Sequence, residues 1–180
     1  MPVDSMWGNI FKKMRPLGCE PLATVPIFAG LGRKDLNKLS RIAHRRTYAP
    51  QEVVFKEEEP GAAMYIIERG SVDVVEKTLD GAEFLLAHLE AGEFFGELSM
   101  LDGCPRSASA VAAEESDIIG FCWSEMHQLI RRNPALGVKV LLELARATSL
   151  RLRHTNQFLK RIDASRIPPE HVPATSRRQV

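Results

Sequence analysis

A chain of 180 residues has room for one domain with a sizeable core and some terminal additions. Hydrophobic residues at 44% and charged residues at 26% describe a globular protein, and no apolar run approaches the roughly 18 residues of a membrane span. The N-terminal "MWGNIFKKMRP" does not read as a signal peptide, so a cytoplasmic location is expected.

The first segment, 1–20, places Met6, Trp7, Ile10, Phe11 and Met14 on one stripe, which predicts a short amphipathic helix ended by Pro16. Such a helix packs on its own domain or a dimer mate, or docks on a partner or membrane surface. The spacing of Leu36, Leu39, Ile42 and Ala43 predicts a second helix over "RKDLNKLSRIAHR". From Thr47 the period changes to short runs rich in Val, Ile, Tyr and Phe, punctuated by Pro-Gly, Arg-Gly and Asp-Gly pairs. Asp80-Gly81, between "VDVVEKTL" and "AEFLLAHL", is a strong hairpin signal. Two further strands, "SASAVAA" and "DIIGFCW", precede a helix over "SEMHQLIRR".

The expected fold is therefore α+β: residues 21–133 make an antiparallel β-roll or jelly roll of about eight strands, flanked by N-terminal helices. A long C-terminal helix spans 134–162. Leu141, Ala145, Thr148, Leu152, Thr155, Leu159 and Ile162 follow the alternating spacing of a coiled-coil seam, which predicts a homodimer; packing of the stripe on the roll is the alternative. Residues 163–180, with three prolines and no periodicity, are expected to be disordered. From Arg146 onward there are eight Lys and Arg against two acids, a bias that fits a solvated helix face and tail better than a nucleic-acid surface.

Chemistry concentrates in "GEFFGELSMLDGCPRSASAV", residues 92–111. Gly96 permits a sharp bend into a short helical turn, whose first amides lack intrahelical acceptors and favour an anion. Arg106 adds a full positive charge in a fork that grips phosphate oxygens. Glu97, an acceptor-only group, belongs at a hydroxyl-bearing part of the same ligand. A plain Glu97–Arg106 salt bridge is the competing reading. Cys19, Cys104 and Cys122 show no disulfide or zinc spacing, and the five histidines form no ligand set, so no metal or cofactor is expected.

The string "FGELSMLDGCPRSASAV" resembles the phosphate-binding cassette of the cyclic nucleotide-binding domain, the family of bacterial catabolite activators, protein kinase A regulatory subunits and cyclic-nucleotide-gated channels. The matching positions are Phe95, Gly96, Glu97, Leu98, Ser99, Pro105, Arg106, Ser107 and Ala108. Met100 replaces the usual Leu, and Cys104 occupies the variable loop.

The resemblance implies that Glu97 takes a ribose hydroxyl and Arg106 a phosphate oxygen. The amides of Gly96, Leu98, Ser107 and Ala108 would complete the cradle, with the long helix as a lid. Thr155 and Asn156, in "RLRHTNQ", are similar to the stretch that meets adenine in the catabolite activator branch, Asn156 coming from the second subunit. On this hydrogen-bond inventory cAMP is expected; cGMP is the alternative, because Ser107 stands where the family's cGMP readers place a hydroxyl.

The winged helix-turn-helix of the transcription-factor branch is not expected in the 18 residues after Ile162. No nucleophile elbow or catalytic carboxylate pair is present, which points away from an enzyme. The expectation is a receptor module that moves its C-terminal helix on ligand binding and acts on a protein partner of unknown identity. The competing readings are a nucleotide-independent interaction domain and a regulator related to transcription factors but without its own DNA reader.

Overall fold

The structure, a computed structural model, describes residues 15–78 and 81–166. Among these residues nine strands form two antiparallel sheets. One sheet has the order β1 (Arg15–Pro16), β2 (Ala43–Tyr48), β9 (Ser116–Cys122), β4 (Ala63–Arg69) and β7 (Phe94–Phe95). The other runs β3 (Val53–Phe55), β8 (Ser109–Ala112), β5 (Val72–Lys77) and β6 (Glu83–Leu89). The helices are α1 (Glu20–Ala23), α2 (Arg33–Ser40), α3 (Leu98–Asp102), α4 (Trp123–Arg132) and α5 (Pro134–Arg166), with a 3-10 turn over Pro26–Phe28. The expected roll is present, with eight of its strands between Ala43 and Cys122.

Facing side chains of the two sheets make one apolar core, in which Tyr48, Tyr65 and Phe95 of the first meet Phe55, Val72 and Ala110 of the second. Helices cover the other face of the first sheet. Phe28 sets its ring edge-on to Phe121 at 5.8 Å, and His44 on β2 pairs with Glu125 on α4 at 3.0 Å. The other face of the second sheet carries Val53, Val75 and Val111. A concavity of about 460 Å³ there is lined by these valines with Lys56, Glu57 and Lys77.

Three local expectations change. Arg15 and Pro16 form a strand paired with Arg45 and His44 rather than the end of a helix, while Met6 to Met14 lie outside the described residues. The second helix stops at Ser40. Ala43 to Arg45, expected in it, begin β2, because six consecutive residue pairs with β9 outweigh a helical period that a few apolar positions also satisfy. Helix α1 and the 3-10 turn were not anticipated, each having a proline in its opening positions, where a missing N–H costs nothing.

The hairpin stands: β5 and β6 pair from Val72↔Leu89 to Lys77↔Glu83, and Gly81 at φ +82° donates to the Thr78 carbonyl at 2.8 Å. Asp80 itself lies outside the described residues.

The chain divides into two compact units, Met1–Leu141 and Leu142–Val180. The opening turns of α5 belong to the first. Lys139 donates to Asp35 at 2.9 Å, and Gly137 lies so near Ile130 that an added Cβ would come within 2.7 Å of its Cγ2. The helix continues to Arg166, four residues past the expected end, so residues 163–166 are helical rather than tail, and 167–180 lie outside the described residues. In the second unit Leu152 is 60% and Leu159 53% exposed, and Thr155 is also exposed.

Candidate functional site

Two glycines frame the loop. Gly96, at φ +72°, turns the chain out of β7, and Gly103, at φ +74°, ends α3 by donating to the Ser99 carbonyl at 3.2 Å. Glu97 is at the N-cap, and its carbonyl accepts from the Met100 and Leu101 amides at 3.0 Å each. The amides of Leu98 and Ser99, in the first turn, have no acceptor within their own helix. The short helix is thus present as expected.

Arg106 is buried to 2% exposure, an unusual place for a guanidinium. Nη1 donates to the Gly96 carbonyl at 2.6 Å and Nη2 to the Ala63 carbonyl at 2.7 Å. Nε is buried with no hydrogen-bond partner among the described residues. The guanidinium carbon lies 4.1 Å from the centre of the Phe55 ring and 5.7 Å from that of Tyr65. Burial pulls the Arg106 pKa down, and the nearby Tyr65, Glu59 and Glu97 oppose that pull. Burial likewise pushes the Tyr65 phenol up. The backbone of Arg106 is fixed as well: its N–H donates to Glu59 O and its C=O accepts from the Glu58 N–H, both at 2.9 Å. Glu58 makes this bond from a left-handed conformation, φ +64°, uncommon outside glycine.

Glu97 is buried to 4% exposure in the same loop. The guanidinium hydrogen bonds run to backbone carbonyls, so Arg106 is seated by the fold itself, not by a simple surface ion pair. Gly96 is the point where these groups converge. A Cβ there would meet Arg106 Nη1 at 2.6 Å and Phe55 Cε1 at 3.1 Å. Ser99 is equally confined, since a Cβ on Gly61 would fall 2.0 Å from its own Cβ.

Of the anticipated residues, Gly96, Glu97, Leu98 and Ser99 are brought onto one turn with Arg106 against it, and Pro105, Ser107 and Ala108 flank Arg106 in the chain. Leu98, Pro105 and Ser107 are exposed, and Ala108 is buried. Phe95 turns its side chain into the core, stacked on Tyr65 at 5.4 Å and tilted on Phe55 at 5.8 Å. Thr155 and Asn156 are exposed positions of α5 in the second unit, and the Thr155 hydroxyl donates to the Arg151 carbonyl at 3.0 Å. Cys104 is a free, exposed thiol in the loop.

Phe55, Ala63 and Tyr65 were missed. They come from strands some 40 to 50 residues before Arg106, and only tertiary contact assigns them to it. Chemically, the arrangement presents one buried cation, amides without an acceptor in their own helix and one buried carboxylate, groups suited in kind to an oxyanion and a hydroxyl.

Residues 45–133 match the family described as the cyclic nucleotide-binding domain. The chain is similar to the cyclic AMP receptor protein of Thermus thermophilus, 36% identical over 121 residues, which are 67% of this chain and 56% of the relative. It is also similar to a CRP-like cAMP-activated global transcriptional regulator of Mycobacterium tuberculosis, 32% identical over 149 residues, 83% of this chain and 65% of that one. It therefore spans less than two thirds of the length of these relatives. A solved cyclic nucleotide-binding domain from Methylobacillus flagellatus superposes with a TM-score of 0.71 at 25% identity, over 86% of this chain and 84% of that chain.

Proposed function

The chain belongs to the cyclic nucleotide-binding domain family, and from that premise we propose that it is a non-enzymatic receptor whose loop 95–108 holds a cyclic nucleotide. The observation that carries this reading is the burial of Arg106 beside Gly96 and Glu97, a cation withdrawn from water at a turn whose first amides lack intrahelical acceptors. A cyclic phosphate supplies the single negative charge that such a seat accommodates, and its ribose supplies the hydroxyl for Glu97. The amides of Gly96, Leu98, Ser107 and Ala108 complete the phosphate cradle. Phe95 and Ser99 shape it from the core side, and Pro105 sets the approach to Arg106.

The favoured ligand is cAMP. Asn156 offers an acceptor to the adenine amino group, Thr155 a hydroxyl, and both similar proteins above are named for cAMP. The alternative, cGMP, would use Ser107. No cofactor takes part. The output is a shift of α5 presented to a protein partner in the cytoplasm, from a homodimer paired through Leu152 and Leu159, whose exposure leaves an apolar stripe to cover. Coupling requires the nucleotide to bind one placement of α5 better than another.

Calorimetric titration with cAMP and cGMP, on wild type and Arg106→Leu, tests the reading. Wild type is expected to bind cAMP more tightly than cGMP. Loss of two charge-assisted hydrogen bonds, each worth about 1.5–3 kcal/mol, is expected to weaken binding by at least about a hundredfold in the variant. Equal heats from the two proteins would remove the idea. Sedimentation equilibrium is expected to show a dimer, and hydrogen exchange along 142–159 to change on adding cAMP; a monomer with unaltered exchange would refute the relay while leaving the binding site intact.

A further inference from the structure

We propose that Phe55 is the positioning residue for the Arg106 guanidinium, holding its plane so that the N–H groups not committed to the protein meet the ligand; this rests on the binding reading above. A guanidinium hydrogen-bonds in its own plane. Two of its five N–H groups are taken by the Gly96 and Ala63 carbonyls, which fix its rotation within that plane but not the tilt of the plane itself. The Phe55 ring lies against it, its centre 4.1 Å from the guanidinium carbon. An aromatic face attracts a cation, and more strongly when both are withdrawn from water, as here with Phe55 at 6% and Arg106 at 2% exposure.

The ring cannot easily move aside. It is stacked on Tyr65 at 5.7 Å and tilted on Phe95 at 5.8 Å, and those two rings stack on each other at 5.4 Å. Phe55 is also the last residue of β3, directly before the loop whose Glu58 and Glu59 pin the Arg106 backbone. One short segment, 55–59, therefore sets both the main chain and the side chain of Arg106. Gly96 completes the seat, since a Cβ there would touch Phe55 and Arg106 together.

The test replaces Phe55 with mono-, di- and trifluorophenylalanine, which drain the π face while nearly preserving the ring's shape, and with leucine, which removes it. The readouts are cAMP affinity, thermal midpoint and the NMR signal of the Arg106 Nε–H. Affinity is expected to fall stepwise with each fluorine, and by about 10- to 30-fold in Phe55→Leu, with a nearly constant midpoint across the fluorinated set. The buried Nε–H is expected to be protected from exchange in the ligand-free wild type and to lose that protection in Phe55→Leu. Affinity indifferent to fluorination, in a wild type that binds cAMP, overturns the proposal alone. A wild type that binds neither cAMP nor cGMP overturns the receptor reading and this role with it, and the Nε–H signal then still reports whether the ring fixes the guanidinium.

Discussion

Gly96→Ala is expected to lower stability by about 2–4 kcal/mol and to weaken cAMP binding by at least tenfold in the same protein. Two costs add. A left-handed φ of +72° strains any residue with a Cβ, and that Cβ would lie 2.6 Å from Arg106 Nη1 and 3.1 Å from Phe55 Cε1. Phe55 is held by two other rings, so the overlap is relieved mainly by driving the guanidinium from its seat, which breaks its bond to the Gly96 carbonyl. Gly103→Ala is the control: its φ of +74° gives similar strain, but nothing lies within 4 Å of the added carbon. It is expected to cost about 1 kcal/mol and to leave affinity unchanged. Urea unfolding and calorimetry on both variants decide the matter, and a Gly96→Ala protein with wild-type affinity would show that the seat yields without consequence.

How much of this was legible beforehand follows from where each constraint resides. The loop 92–111 announces itself because its requirements are local: Gly96 for the bend, Glu97 at the helix start and Arg106 within one connection. The β5–β6 hairpin is similarly local, and its signal at Gly81 agrees with the pairing. The boundary of α2 is not local. Ala43 satisfies a helical stripe, and only the partnership of β2 with β9, about 70 residues onward, decides against it. β1 and β7 have two residues each, too few for any alternation to appear.

The same distinction divides the site. The groups within the loop are readable, whereas the residues packed against Arg106 come from β3 and β4. There Phe55, Ala63 and Tyr65 look like ordinary core positions, and nothing in their spacing marks them. Thr148 and Thr155, polar positions within an otherwise apolar stripe, direct their hydroxyls to their own helix at Leu144 and Arg151. A side-chain bond of this kind satisfies the donor, so each oxygen can still act as an acceptor.

The second large effect separates stability from binding. Gly70→Ala is expected to destabilise the fold by about 3–5 kcal/mol and to leave the affinity of the folded molecules within threefold of wild type. Gly70 sits at φ +86° between β4 and β5, and a Cβ there would lie 2.3 Å from Ser116 Oγ and 2.7 Å from the Glu115 carbonyl oxygen. Ser116 has no exposure at all. Its hydroxyl accepts from the Ser71 amide at 3.1 Å and lies 3.0 Å from the carbonyl oxygens of Ser71 and Glu114, so moving it leaves buried polar groups unpaired. The Glu115 carbonyl is backbone and has little freedom to retreat. Yet β4 reaches Arg106 through the Ala63 carbonyl at its opposite end, seven residues and roughly 20 Å away at a strand's rise per residue. None of the bonds seating Arg106 passes through Gly70 or Ser116. Denaturant titration gives the stability loss, and calorimetry at low temperature, where the variant stays folded, gives the affinity. A drop beyond threefold there would mean that the far turn and the Arg106 seat are energetically coupled, contrary to the bonding pattern.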